Sequence, residues 1–158
     1  MTKKVGYVII DWSPMIPYSK IKSYDHDYLE KRGFYIYLIG KRDKQLRKYV
    51  DKKLQYIGLA YDQYIWERVL QEHEAADKIS KSLNKNPEHK LLVQAGIIID
   101  SSYEKKALPL FKDIEKLLIF DNQPYANTLL KEDYSGRNII IVNDGSNELL
   151  KKCSYRYE

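Results

Sequence analysis

The run Leu91–Ile99 (LLVQAGIII) has one polar side chain, Gln94, and leaves no face for water. It is far shorter than the roughly 20 apolar residues that a membrane-spanning helix needs. Its length and its branched aliphatic content read as a strand buried on both sides. A second run, Gly33–Ile39 (GFYIYLI), is β-branched and aromatic and reads as a strand as well. Val5–Ile10, Leu54–Ala60 and Asn138–Val142 complete the strand set. Helical periodicity spans Tyr61–Leu83, which stops at Asn84–Glu88 around Pro87, and again Tyr103–Phe120, with Ser101 or Ser102 as its cap. Asp11–Tyr28, with two prolines, reads as a loop or irregular arm, and Asp121–Asn127 as a loop around Pro124. The order β, β-β, α, β, α, β predicts an α+β fold: a small, mainly antiparallel sheet flanked by helices.

A length of 158 residues fits one domain, 1–158. There is no internal repeat and no low-complexity linker. The apolar run at Val5–Ile10 is too short for a signal peptide and ends at Asp11. No stretch approaches a transmembrane length, so no membrane association is expected. Cys153 is the only cysteine, which excludes an internal disulfide and zinc-type Cys/His spacing. The expected location is the cytoplasm.

A formal net charge of +5 suits a polyanionic partner and equally serves solubility. The positive charge is densest in Gly40–Lys53, which carries Lys41, Arg42, Lys44, Arg47, Lys48, Lys52 and Lys53. This segment reads as a connection longer than a hairpin needs, with room for a short helical turn. Either it is a solvated charged loop, or it contacts DNA phosphates beside a site built on the flanking strands. Tyrosine is unusually frequent, with 15 copies against 3 Phe. Genome base bias accounts for that as well as any site does.

Several residues repay closer reading. Tyr35 and Tyr37 share one face of their strand, and Tyr56 can meet Tyr35 if Gly33–Ile39 and Leu54–Ala60 pair. Two packed core tyrosines would look the same. Glu115 lies on a helical stripe with Leu108, Phe111 and Leu118. A carboxylate buried there needs a compensating cation, either a protein side chain or a metal ion. Arg68 has the planar fork that suits phosphate oxygens, and it also stands i,i+4 from Glu72. His73 falls with Trp66, Val69 and Leu70 on a regular helix, nearly opposite Arg68. A shared role for Arg68 and His73 therefore requires an irregular helix.

Gly33-Phe34-Tyr35 on one strand, Tyr56-Ile57-Gly58 on the next, Arg68 on a helix, Glu115 on a later helix, and Pro124 with Asn127 stand in an order that resembles the GIY-YIG nuclease domain. The resemblance covers about 33–127, leaving an N-terminal arm, 1–32, and a C-terminal extension, 128–158. It departs from the family where Glu72 occupies the position usually held by His or Tyr, with His73 one residue later, and where Leu59 follows the YIG triplet. The two tyrosines also stand further apart than in compact homing members.

The resemblance implies a metal-dependent endonuclease acting on DNA. In that role Tyr35 and Tyr56 line the site and position or deprotonate water. Arg68 steadies the phosphate, Glu115 is the protein's metal ligand, and Asn127 holds backbone or contacts phosphate. His73 is a candidate for the absent helix histidine. Mg²⁺ is the implied ion, with Mn²⁺ able to substitute. The compact size is closest to a type II restriction enzyme, for which a palindromic target would ask for a homodimer. The alternative is a non-catalytic nucleic-acid-binding or regulatory module that keeps the nuclease fold.

Overall fold

The computed structural model describes residues 4–71, 73 and 75–157. The strands are β1 (Gly6–Trp12), β2 (Ile16–Pro17), β3 (Gly33–Asp43), β4 (Lys48–Ala60), β5 (His89–Ser101), β6 (Ile139–Gly145) and β7 (Cys153–Arg156). The α-helices are α1 (Ile65–Leu70), α2 (Ala76–Lys85) and α3 (Leu108–Asn122). All the strands join one mixed sheet in the order β4-β3-β5-β1-β6-β7, with the two-residue β2 beside β5. Every pairing is antiparallel except β1 with β6. The α+β class and the mainly antiparallel sheet agree with expectation.

The reason β3 and β5 are so apolar is visible in the layers around them. On one face, Phe34, Ile36 and Leu38 pack with Val8, Ile10 and Trp12 under Leu110, Phe111, Ile114 and Leu117 of α3. On the other, Tyr35, Tyr37, Val93 and Ala95 lie under Ile65 and Val69 of α1 and Ile79 of α2. Central strands with helices on both sides have no exposed face to make polar. Among the described residues no helix is long and apolar enough to cross a membrane.

Besides β2 and β7, which the sequence did not suggest, three elements differ from their sequence expectation. The segment Gly40–Lys53 contains no helical turn. β3 and β4 run on through it, pairing Lys41 with Val50, Arg42 with Tyr49 and Asp43 with Lys48. The reversal comes from local chemistry. The Asp43 carboxylate accepts from the Leu46 backbone N–H (2.8 Å), and Arg47 takes a left-handed φ of 54°. Residues Tyr103–Ala107 are not helical, because Pro109 belongs in the first turn of a helix and sets the start of α3. The expected helix Tyr61–Leu83 is two helices. Its periodic residues Ile65, Val69 and Ile79 all reach the core, but α1 ends at Leu70 and α2 begins at Ala76.

Side chains explain that break. A continuing helix would offer the Arg68 and Val69 carbonyls to backbone N–H groups four residues on. Here Tyr37 Oη donates to the Val69 carbonyl (2.6 Å). The Arg68 carbonyl accepts from the Gln71 N–H (3.3 Å) and faces His73 Nε2 (3.3 Å). Gln71 is extended, with ψ at 155°. Both carbonyls are satisfied without a further helical turn.

Candidate active site

The site is built on the β3–β4 ladder. Tyr37 stands opposite Tyr56, and Tyr35 opposite Gly58. Tyr35 and Tyr56 are therefore diagonal neighbours, with ring centroids 6.2 Å apart. The register slips by one residue between Tyr37 and Leu38, where β4 passes from Tyr56 to Leu54 and leaves Gln55 as the extra residue of a β-bulge. A bulge re-aims the side chains beside it, and this one sits directly before Tyr56.

Gly58 has a steric task. A Cβ at that position would fall 2.2 Å from Tyr35 Cζ and 2.3 Å from its hydroxyl oxygen. The fully buried Tyr35 ring lies across the space that glycine leaves open. The GxY and YIG triplets are thus two halves of one contact.

The break between α1 and α2 brings His73 back over the tyrosines. Its ring lies 5.6 Å from Tyr35, 5.3 Å from Tyr37 and 5.2 Å from Tyr56, edge-on to each. His73 Nε2 is 3.2 Å from Tyr35 Oη and 3.4 Å from Arg68 Nη1. The regular-helix expectation that Arg68 and His73 point apart, with His73 in the core, is corrected by this irregular segment. Glu72, at the family's His/Tyr position, lies outside the described residues.

Glu115, half-buried on α3, lies near enough to influence Tyr35 and to feel Arg68, Lys112 and Lys116. Burial pushes its carboxyl above the ordinary carboxylate range, and the three cations offset this only in part. Among the described residues, Glu115 takes part in no ion pair or side-chain hydrogen bond. Burial likewise pushes the Tyr35 and Tyr37 phenols well above their ordinary value, against the lowering influence of Arg68. Both phenols therefore enter the site as proton-bearing donors. Leu108 is one-third exposed, so the apolar stripe around Glu115 is carried by Phe111 and Leu118.

Asn127 does not face this cluster. Its Oδ1 accepts from the Ile57 N–H (2.9 Å) and its Nδ2 donates to the Ile57 carbonyl (3.1 Å). The Ala126 N–H donates to the Gln55 carbonyl (2.6 Å). The segment after Pro124 thus pins the free edge of β4 at the YIG triplet, the backbone-holding role of the two considered for Asn127.

The tip of the basic segment is remote from the cluster, whereas Lys52 and Lys53 lie on β4 a few residues before Tyr56. Lys44, Arg47 and Lys48 lie at the hairpin tip, about 20 Å or more beyond Tyr37 at roughly 3.3 Å per strand residue. Its charges are not equally available. Lys41 pairs with Glu88 (2.6 Å), Lys52 with Glu148, and Lys53 donates to Asn86 (3.1 Å). Arg42 stacks on Tyr49 (5.2 Å). Lys44, Arg47 and Lys48 are exposed and form no ion pair among the described residues.

Sequence reasoning did not single out two further groups of cations, one beside Glu115 and one over Phe111. Lys112 and Lys116 flank Glu115 on α3, a spacing that was there to be read. Lys31, Arg32 and Lys106 line one recess over Phe111, and Arg32 lies over the Tyr61 ring (4.7 Å). These residues come from three separate segments, and only the fold collects them.

Among the described residues no three His, Cys, Asp or Glu side chains converge as a metal cage. The single desolvated carboxylate of Glu115 suits an ion that keeps most of its waters and takes phosphate oxygens as ligands. Mg²⁺ is such an ion. Comparison with family models, with curated proteins and with solved structures finds no match to this chain.

Proposed function

We propose that the chain hydrolyses DNA phosphodiester bonds in the manner of a GIY-YIG endonuclease. The observation that carries this reading is the convergence of Tyr35, Arg68 and His73 within hydrogen-bond range, beside a carboxylate that is desolvated and takes part in no ion pair among the described residues. Perturbed groups clustered with an arginine are what phosphoryl chemistry needs.

In this reading Arg68 donates to the non-bridging oxygens of the scissile phosphate and holds them as negative charge builds. Water attacks phosphorus. Its proton passes to His73 Nε2, either directly or through Tyr35, whose hydroxyl gives its own proton to Nε2 as it takes the water's. The bond from phosphorus to the leaving oxygen breaks, and that oxygen collects a proton from solvent. Tyr56 and Tyr37 wall the imidazole and fix its plane. Glu115 would hold Mg²⁺, which when bound neutralises phosphate charge and stabilises the leaving oxygen. Lys112 and Lys116, beside Glu115, add positive charge for the phosphate backbone. The hairpin tip reaches phosphates further along the duplex than one major-groove width of about 12 Å.

The test is supercoiled plasmid incubated with the protein and Mg²⁺ or Mn²⁺, alongside Glu115→Gln. The expected result is nicked or linear product from the wild type and none from the variant. Discrete fragments would identify a site-specific enzyme of the type II restriction kind, and a smear a non-specific one. DNA binding without cleavage would leave the non-catalytic module as the correct reading.

A further inference from the structure

The hairpin of β3 and β4 outruns the sheet before it turns. β5 pairs with β3 only as far as Lys41, opposite His89, and β4 is an edge strand. Beyond that point residues 42–49 form a ribbon of two strands with no third beside it. The register shifts between Ile39 and Lys41, and on β4 Asp51 takes a left-handed φ of 50°. A bulge of this kind bends and twists the strands that follow it. From Lys41 to the turn the ribbon extends about 10 Å, three residues at roughly 3.3 Å each. The turn is braced. The Asp43 carboxylate accepts from the Leu46 N–H (2.8 Å), and Arg42 lies over the Tyr49 ring across the ribbon (5.2 Å). A tip already held in shape loses little freedom when it binds.

The side chains of the tip run Lys44-Gln45-Leu46-Arg47-Lys48, and all five are exposed. Cations stand on both shoulders, and the apex between them is one amide and one aliphatic group. Lower on the hairpin, Lys41 and Lys52 are neutralised by Glu88 and Glu148, so the free charge is concentrated at the tip. Phosphate contact explains the shoulders and gives the apex no task. Gln45 makes no side-chain hydrogen bond among the described residues, and Leu46 is 60% exposed, which costs hydrophobic free energy in water.

We propose that this tip enters the major groove of B-form DNA and reads two neighbouring base pairs, Gln45 an adenine and Leu46 a thymine. The inference rests on DNA being the partner, as read above, and not on hydrolysis. The major groove is about 12 Å wide and about 8.5 Å deep and admits a two-stranded ribbon, so a projection of about 10 Å reaches its floor. Lys44 on one side and Arg47 and Lys48 on the other face the two phosphate walls. At the floor the Gln45 amide accepts from adenine N6 and donates to N7, a donor–acceptor pair that the other bases do not present there. Leu46 meets the thymine C5 methyl, the apolar feature of the groove. Duplex RNA does not fit, because its major groove is too deep and narrow for side chains to read.

The experiment begins with selection of bound sequences from a randomised duplex library by the wild-type protein in EDTA, where no strand is cut. The selected site is expected to hold an adenine next to a thymine. Two analogues then test single atoms by anisotropy titration. Replacing the adenine by 7-deazaadenine removes the N7 acceptor and is expected to weaken wild-type binding about tenfold. Replacing the thymine by uracil removes the methyl and is expected to weaken it about threefold. Gln45→Ala should be indifferent to the first analogue and still sense the second, and Leu46→Ala the reverse. Lys44→Ala should weaken binding to every duplex alike and lower its salt dependence. A library that yields no such step overturns the proposal, as do analogue penalties that persist in the alanine variants, or a protein that binds no DNA. Reading of this step without cleavage in Mg²⁺ supports the proposal and sinks the hydrolysis. Cleavage with equal affinity for every sequence does the opposite.

Discussion

Gly58→Ala tests the central contact of the site with one methyl group. The new Cβ would lie 2.2 Å from Tyr35 Cζ, where carbon atoms prefer about 3.5–4.0 Å. The ring cannot step aside cheaply, because it is fully buried and Tyr37, Tyr56 and His73 surround it at 5.5, 6.2 and 5.6 Å between centroids. Overpacking of this kind costs about 1–3 kcal/mol, and displacing the ring also loses the Tyr35–His73 hydrogen bond, about 1 kcal/mol. Alanine regains about 0.5–1 kcal/mol over glycine in a strand. The net expectation is a loss of about 2 kcal/mol, read by urea unfolding. The double-mutant cycle makes the reasoning strict. With Tyr35→Ala in place the obstructing ring is gone, so Gly58→Ala should then stabilise by about 0.5–1 kcal/mol, the strand preference alone, and the coupling should exceed the loss seen in the wild-type background. A loss below about 1 kcal/mol in the wild-type background, or an equal loss in both, would refute the account of why glycine stands there.

Other consequences follow from named groups. Asn127→Ala strips both side-chain bonds from the Ile57 backbone and should destabilise by about 2 kcal/mol in urea unfolding, with Asn127→Asp close behind because it cannot donate to the Ile57 carbonyl. Glu115 has its folded carboxyl raised by burial. It therefore carries no penalty below the unfolded value near 4.5, and it destabilises increasingly as pH rises through its folded value. Glu115→Gln should accordingly melt higher than the wild type near neutral pH, with the gap closing in acid, and Mg²⁺ should raise the melting temperature of the wild type only. Replacing Lys44, Arg47 and Lys48 with alanine should flatten the salt dependence of DNA binding by about 0.9 per lost phosphate contact, whereas Lys52→Ala, already held by Glu148, should leave the slope unchanged.

Much of the fold was legible because apolar runs and turn residues act locally. Leu91–Ile99 read as a strand buried on both sides and Gly33–Ile39 as a strand, and both stand inside the sheet. The long helix failed as an expectation for a non-local reason. Its 3.6-residue period is real in Ile65, Val69 and Ile79, yet the hydroxyl of Tyr37, far away in sequence, takes the Val69 carbonyl and ends the first half. Periodicity reports which face is buried and says nothing of which carbonyl a distant side chain will claim. The hairpin extension was hidden by its lysines, whose charge suggested a loop, while Asp43 and Arg47 supplied a turn. The half-exposure of Ile9, Ile140 and Val142 was hidden because such residues look like core to any composition-based reading. Within the site, the pairing of Tyr35 with the YIG strand was legible, and the steric reason for Gly58 was not, since it needs the ring's position.

In the proposed mechanism, the break between α1 and α2 makes Tyr35 and His73 one proton-handling unit beside Arg68 and Glu115. Single-turnover cleavage rates with Mg²⁺ for Tyr35→Phe, His73→Ala and the double variant test it most directly. Each single change should slow cleavage by about 10²–10⁴, and the double should be little slower than the worse single, because groups that act together are not additive. No cleavage by the wild type, or losses that multiply in the double variant, would contradict it.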